Sequence, residues 1–182
     1  MKKLRDSWRK SQAISKSDKG DAHSYLEFYD LLFARFTQDK TSLLEIGVKS
    51  GGSLSMFKDY FQPGSVIHGI ENQAVTVPLN GVAVFFGNAY TEEMLSVLGQ
   101  YDIIIDDGSH KLQDVQFFIK HYLNKVNPGG LLIVEDVQPG INTKDLFESV
   151  PAEHRSCAYI IDCRHAKGRN DDMLFVIYKV AQ

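Results

Sequence analysis

Two strand-length apolar runs that break off in carboxylates constrain this chain most. They are Tyr101-Asp-Ile-Ile-Ile-Asp-Asp-Gly-Ser-His110 and Gly130-Leu-Leu-Ile-Val-Glu-Asp136, with a segment of helical periodicity between them. Such an alternation is the pattern of a βαβ unit, so Asp107, Glu135 and Asp136 should emerge together at the ends of two strands. In an open α/β sheet that rim is where ligands bind. Three acidic groups crowded there would repel one another unless a cation sat among them. They read as a site for a hard metal ion, with His110 beside it. The alternatives are plainer: Asp106 and Asp107 could cap the following helix with Ser109, and Glu135 and Asp136 could be solvated loop acids.

The same alternation runs through the chain. Strands are expected over residues 42–46, 65–70, 82–86, 101–106, 130–134, 157–162 and 173–180. Helices are expected near residues 24–36, 53–60, 91–98, 112–126 and 143–149. Tyr25, Phe28, Tyr29, Leu32 and Phe36 keep helical spacing and should pack one face on the sheet. The last two strands are joined by a polar Gly-Arg-Asn turn with no room for a crossover helix, so the final strand should pair antiparallel. The expected fold is a Rossmann-like three-layer α/β sandwich around a seven-stranded mixed sheet. With 182 residues, 43% of them hydrophobic, the chain can bury one core. A domain over residues 21–182 is expected, preceded by a polar arm over residues 1–20 whose lysines and arginines form a solvated arm or a helix face.

A formal charge of −3 gives no nucleic-acid footprint, and no apolar run approaches membrane-spanning length. The chain is therefore expected to be soluble and cytoplasmic, with no nucleic-acid or membrane partner. The sequence leaves assembly into a homo-oligomer open. Cys157 and Cys163 read as ordinary buried thiols, and His68 as a packed core histidine.

The first strand runs into a glycine turn, Leu43-Leu-Glu-Ile-Gly-Val-Lys-Ser-Gly-Gly-Ser53. Glycines there let the backbone bend and a ligand approach closely, and the next helix offers free N–H groups. Lys49 stands where a dinucleotide fingerprint needs its second glycine, which favours a nucleoside without a pyrophosphate over a nicotinamide cofactor. Glu71 ends the second strand, where an acid can bind ribose hydroxyls. Asn88 follows the third, where an amide can meet an adenine edge.

On these residues the chain resembles the class I S-adenosylmethionine-dependent methyltransferases, and among them the metal-dependent macrolide and sugar O-methyltransferases. The resemblance rests on Asp18-Lys-Gly-Asp-Ala-His-Ser-Tyr25, Glu45-Ile-Gly47 with Gly51-Gly52-Ser53, Asp107-Gly-Ser-His110, Glu135-Asp136 and Arg169-Asn-Asp-Asp172. It implies Mg²⁺ on Asp107, Glu135 and Asp136, and His110 as general base. It also implies that Lys19, His23 or Tyr25 helps close the cofactor pocket, and that Glu45, Gly47, Gly51, Ser53 and Asp106 belong to the cofactor side with Glu71 and Asn88. The acceptor would be a hydroxylated small molecule, a sugar or a vicinal diol. The competing expectations are a cofactor-binding module without catalysis and a nicotinamide-dependent oxidoreductase.

Overall fold

The computed structural model describes residues 2–13, 16–73 and 80–180. Seven strands form one sheet: β1 (Ser42–Ile46), β2 (Val66–Glu71), β3 (Ala83–Phe86), β4 (Tyr101–Asp106), β5 (Val126–Val134), β6 (Ala158–Asp162) and β7 (Met173–Tyr178). Their order is β3-β2-β1-β4-β5-β7-β6, with β7 antiparallel to both neighbours and every other pairing parallel. This is the expected Rossmann-like sandwich. Chain order reverses between β1 and β4, and the carboxyl ends of strands flanking such a switch point open a crevice.

The interiors of the central strands are largely apolar on both faces because helices cover both. On one face Leu44, Ile104, Leu132 and Phe175 pack with α4 (Glu92–Val97), α5 (Leu112–Tyr122) and α6 (Thr143–Ser149). On the other, Leu43, Ile103, Ile105 and Ile133 pack with α1 (Leu4–Ser11), α2 (Leu26–Leu32) and α3 (Gly52–Tyr60). Ile103, Ile104 and Ile105 are fully buried, and each contributes on the order of 1.5–3 kcal/mol by leaving water.

Two local departures have physical causes. Residues expected as a polar arm contain α1, because Leu4 and Trp8, one turn apart, share a face that packs with the second cluster. Asp30 caps this helix by accepting from the Leu4 amide at 2.9 Å. Strand β5 starts at Val126 rather than at residue 130, and its register against β4 shifts between Tyr101 and Ile103. Asn127 donates to Asp102 across this irregularity at 2.8 Å. A Cβ on Gly130 would lie 2.5 Å from the Asp102 carbonyl, so the strand passes there only without a side chain. The β6–β7 connection holds one helical turn, α7 (Arg164–Lys167), closed by Gly168 at φ +70°. No helix among the described residues is long and apolar enough to cross a membrane.

Candidate active site at the carboxyl ends of the strands

The chain leaves β1 through Gly47, whose φ of +87° and missing side chain are both required: a Cβ there would stand 2.0 Å from the Asp107 carbonyl oxygen. The loops after β1 and β4 thus touch at the switch point. The Asp107 amide donates to the Ile46 carbonyl at 2.9 Å. The turn continues through Lys49 and Gly51, both at positive φ, into α3. Glu71, at the end of β2, fastens the turn from below. One carboxylate oxygen accepts from the amides of Val48 (3.0 Å) and Lys49 (2.8 Å), the other from Asn72 (2.8 Å) and Gln73 (3.2 Å). Gly47, Lys49, Glu71, Asn88, Tyr90 and Gly108 line a cleft of about 200 Å³ above the ends of β1–β4. Asn88 accepts from the Tyr90 amide at 3.0 Å. The expected nucleoside-binding residues Gly47, Glu71 and Asn88 therefore surround one opening.

Asp106 lies beneath that cleft, 2% exposed. One oxygen accepts from the Tyr90 hydroxyl at 2.7 Å and the Gly108 amide at 3.2 Å, while the other is buried with no protein partner. Burial raises its pKa to about 7, against the pull of those two donors.

Next to it an acidic cluster is built around an internal ammonium. Lys19, 1% exposed, places Nζ 2.7 and 2.8 Å from the two oxygens of Glu135, 3.0 Å from Asp107 and 3.2 Å from Glu45. Burial disfavours this charge, but the three carboxylates outweigh it and hold the pKa well above that of an ordinary lysine. Glu135 and Glu45 are themselves pushed up by burial. Glu45 also accepts from the Ser53 hydroxyl, and Glu135 from the Tyr29 hydroxyl. The cation that sequence reasoning required among these acids is thus, on this side, a lysine of the chain itself.

On the outer side, one ligand atom each from Asp107, His110 and Asp136 lie within 4.8 Å of one another, a spacing that fits a single cation. Glu135 is not in that set, and its oxygens accept from Lys19 and Tyr29 instead. His110 Nε2 stands 3.8 Å from Asp107. Tyr25 donates to Asp136 at 2.6 Å, and His23 Nδ1 lies 3.2 Å from Asp136 and 3.3 Å from Asp172. Burial raises the Asp136 pKa, partly offset by Tyr25. Among the described residues, the non-glycine positions at positive φ are Lys49, His110 and Asp136. All three belong to this rim, where backbone strain is commonly held for function. Two carboxylates suit a divalent ion that also keeps waters or a ligand hydroxyl, and they leave the neighbouring imidazole free for a proton.

Sequence reasoning missed Tyr29, Tyr90 and Asp172. By its spacing Tyr29 reads as a core aromatic, and its hydroxyl gives no separate signal. Asp172 stood in the Arg-Asn-Asp-Asp run, but nothing in its spacing pointed to His23.

Residues 44–137, just over half of the chain, match a family described as Methyltransferase domain. Over 138 residues the chain is 35% identical to an 8-demethyl-8-alpha-L-rhamnosyl tetracenomycin-C 2'-O-methyltransferase of Streptomyces olivaceus, covering 67% of this chain and 35% of that protein. Over 130 residues it is 32% identical to a Mycinamicin VI 2''-O-methyltransferase of Micromonospora griseorubida, covering 65% and 32%. The chain spans about a third of the length of these curated relatives. The solved MycE methyltransferase, in complex with Mg, SAH and mycinamycin VI, superposes with a TM-score of 0.76 at 22% identity, over 99% of this chain and 54% of that one. By its matched core, its strand order and its switch-point cleft, the chain belongs to this methyltransferase-domain family.

Proposed function

We propose that the protein is an S-adenosylmethionine-dependent, Mg²⁺-dependent O-methyltransferase acting on a hydroxyl of a small molecule, a sugar or another vicinal diol. The observation that carries this reading is the convergence of Asp107, His110 and Asp136 beside the nucleoside cleft. The MycE complex holds Mg and SAH together on the same fold. In this reading Gly47, Gly51 and Ser53 pass beneath the methionine part of the cofactor, Glu71 meets the ribose and Asn88 the adenine. Lys19, His23 and Tyr25 close the pocket from the amino-terminal side, with Glu45 and Asp106 below. Asp107 and Asp136 hold the cation, and Glu135 becomes the third ligand implied by the resemblance once Lys19 releases it. A cytoplasmic setting, with no nucleic-acid or membrane partner, belongs to the same proposal.

The chemistry is an in-line displacement at a sulfonium methyl, whose obstacle is a neutral and weakly nucleophilic hydroxyl. A divalent ion, when bound, supplies the positive charge that lowers the pKa of that hydroxyl. Asp107 and Asp136 fix where the acceptor sits, and two adjacent hydroxyls suit the positions left open. His110 takes the acceptor proton as the oxygen–methyl bond forms and the carbon–sulfur bond breaks, leaving methyl ether, S-adenosylhomocysteine and a protonated imidazole. Tyr25 and His23 steady Asp136, and Asp172 steadies His23. Isothermal titration tests the cofactor half of the proposal. S-adenosylhomocysteine should bind and NAD should not, since Lys49 occupies the fingerprint position that admits a pyrophosphate. Tighter binding of NAD would overturn it.

A further inference from the structure

The Lys19 ammonium already satisfies oxygens that a divalent ion would need, and it belongs to a strap held down elsewhere. Trp8 Nε1 donates to the Ser17 carbonyl at 2.9 Å and the Gln12 amide to the same oxygen at 2.8 Å. Lys167, on α7, donates to the carbonyls of Gly20 (3.0 Å), Asp21 (2.9 Å) and His23 (2.6 Å). Gly20 passes close to the indole: a Cβ there would stand 2.7 Å from Trp8. Residues 16–23 are thus pinned over the strand ends by the indole, by Lys167 and by the insertion of Lys19 into the acid cluster.

We infer that Lys19 is a positioning residue that stands in for the cation. Its ammonium holds Asp107 and Glu135 in place before a divalent ion arrives, and it yields Glu135 when the ion binds, loosening the strap. This rests on the cation site proposed above. Lys19 lies within hydrogen-bonding distance of both Glu135 oxygens and one of Asp107. A magnesium or manganese ion needs such oxygens in its inner shell, about 2.0–2.1 Å away for magnesium. Glu135 cannot serve both cations fully, and two positive charges this close repel. Such opposition is reciprocal: whatever the ion does to strap docking, the seated lysine does to ion affinity.

The test uses Mn²⁺ as the probe metal, with free Mn²⁺ followed by electron paramagnetic resonance. Strap docking is read from hydrogen exchange over residues 16–23 and from the emission of Trp8, the single tryptophan of the chain. In the wild type, bound Mn²⁺ should speed exchange in the strap severalfold and shift Trp8 emission. Lys19→Met should bind Mn²⁺ about fivefold more tightly or better, with emission no longer responding to the metal. Lys19→Arg, which keeps the charge, should stay near the wild type. Mn²⁺ binding to the wild type with strap exchange and emission unchanged would overturn the inference while leaving the cation site standing. Absence of Mn²⁺ binding would remove both, and the resonance signal shows that alone. Should Lys19→Met not fold, the wild-type exchange measurement decides the matter by itself.

Discussion

Gly47→Ala is the substitution whose effect the structure sizes most directly. The new Cβ would lie 2.0 Å from the Asp107 carbonyl oxygen and 2.7 Å from its carbon, distances at which backbone must move. A φ of +87° adds a left-handed conformation that costs an L-residue about 1–2 kcal/mol. Forcing a methyl into packed backbone adds roughly 1–3 kcal/mol. The sum, about 2–5 kcal/mol, corresponds to a melting temperature lowered by about 4–20 °C in a domain of this size. Relief by moving Asp107 away would also separate it from His110 and Asp136, so affinity for Mn²⁺ should fall with stability. Thermal melting and metal titration on the variant provide the assay. Gly99→Ala is the control, since nothing lies within 4 Å of a Cβ there. It should change stability by no more than about 0.5 kcal/mol. If Gly47→Ala melts like the control, the close apposition of the two loops at the switch point is wrong.

Other consequences follow from the same site. Glu71→Ala removes the acceptor for four backbone amides and the proposed ribose contact, and should weaken S-adenosylhomocysteine binding by about 1–3 kcal/mol in titration calorimetry. His110→Ala should lower turnover by roughly 10²–10⁴-fold while leaving the cofactor bound, as a single-turnover assay would show. Asp106, raised from its ordinary 3.8 to about 7, favours the folded state most when protonated. Its contribution is full below about pH 4 and is lost as pH rises through about 7. Asp106→Asn should therefore flatten the fall in melting temperature between about pH 4 and 7, measured with EDTA present. A variant that keeps the wild-type slope would assign that slope to another group.

The sheet was legible because its central strands carry continuous apolar runs, residues 103–105, 131–134 and 173–177, the first two of them ended by carboxylates. Tyr101–Asp106 and Met173–Tyr178 form within a residue or two of the expected spans. The start of β5 was not, since Pro128-Gly129-Gly130 reads as a turn by composition. What keeps it in the strand is a close approach to Asp102 that no local pattern encodes. The carboxylates at the rim were legible for the same reason as the strands: polar residues that interrupt apolar runs mark strand ends. Electrostatic reasoning also required a cation among them. It could not say that Lys19 supplies that charge on one side, because the contact spans 88 residues to Asp107 and 116 to Glu135. Nor could it separate Tyr29, whose ring is core and whose hydroxyl is site, from the other aromatics on the same helical face.

Methyl transfer from labelled S-adenosylmethionine to a panel of sugars and vicinal diols, run in parallel with Mg²⁺ and with excess EDTA, decides whether the protein is a cation-dependent methyltransferase. Transfer to at least one diol is expected, stopping on chelation, returning when Mg²⁺ is restored, and absent in Asp136→Asn under both conditions. Transfer that continues undiminished in excess EDTA, or full activity in Asp136→Asn, would contradict the cation-dependent mechanism and leave only the cofactor cleft.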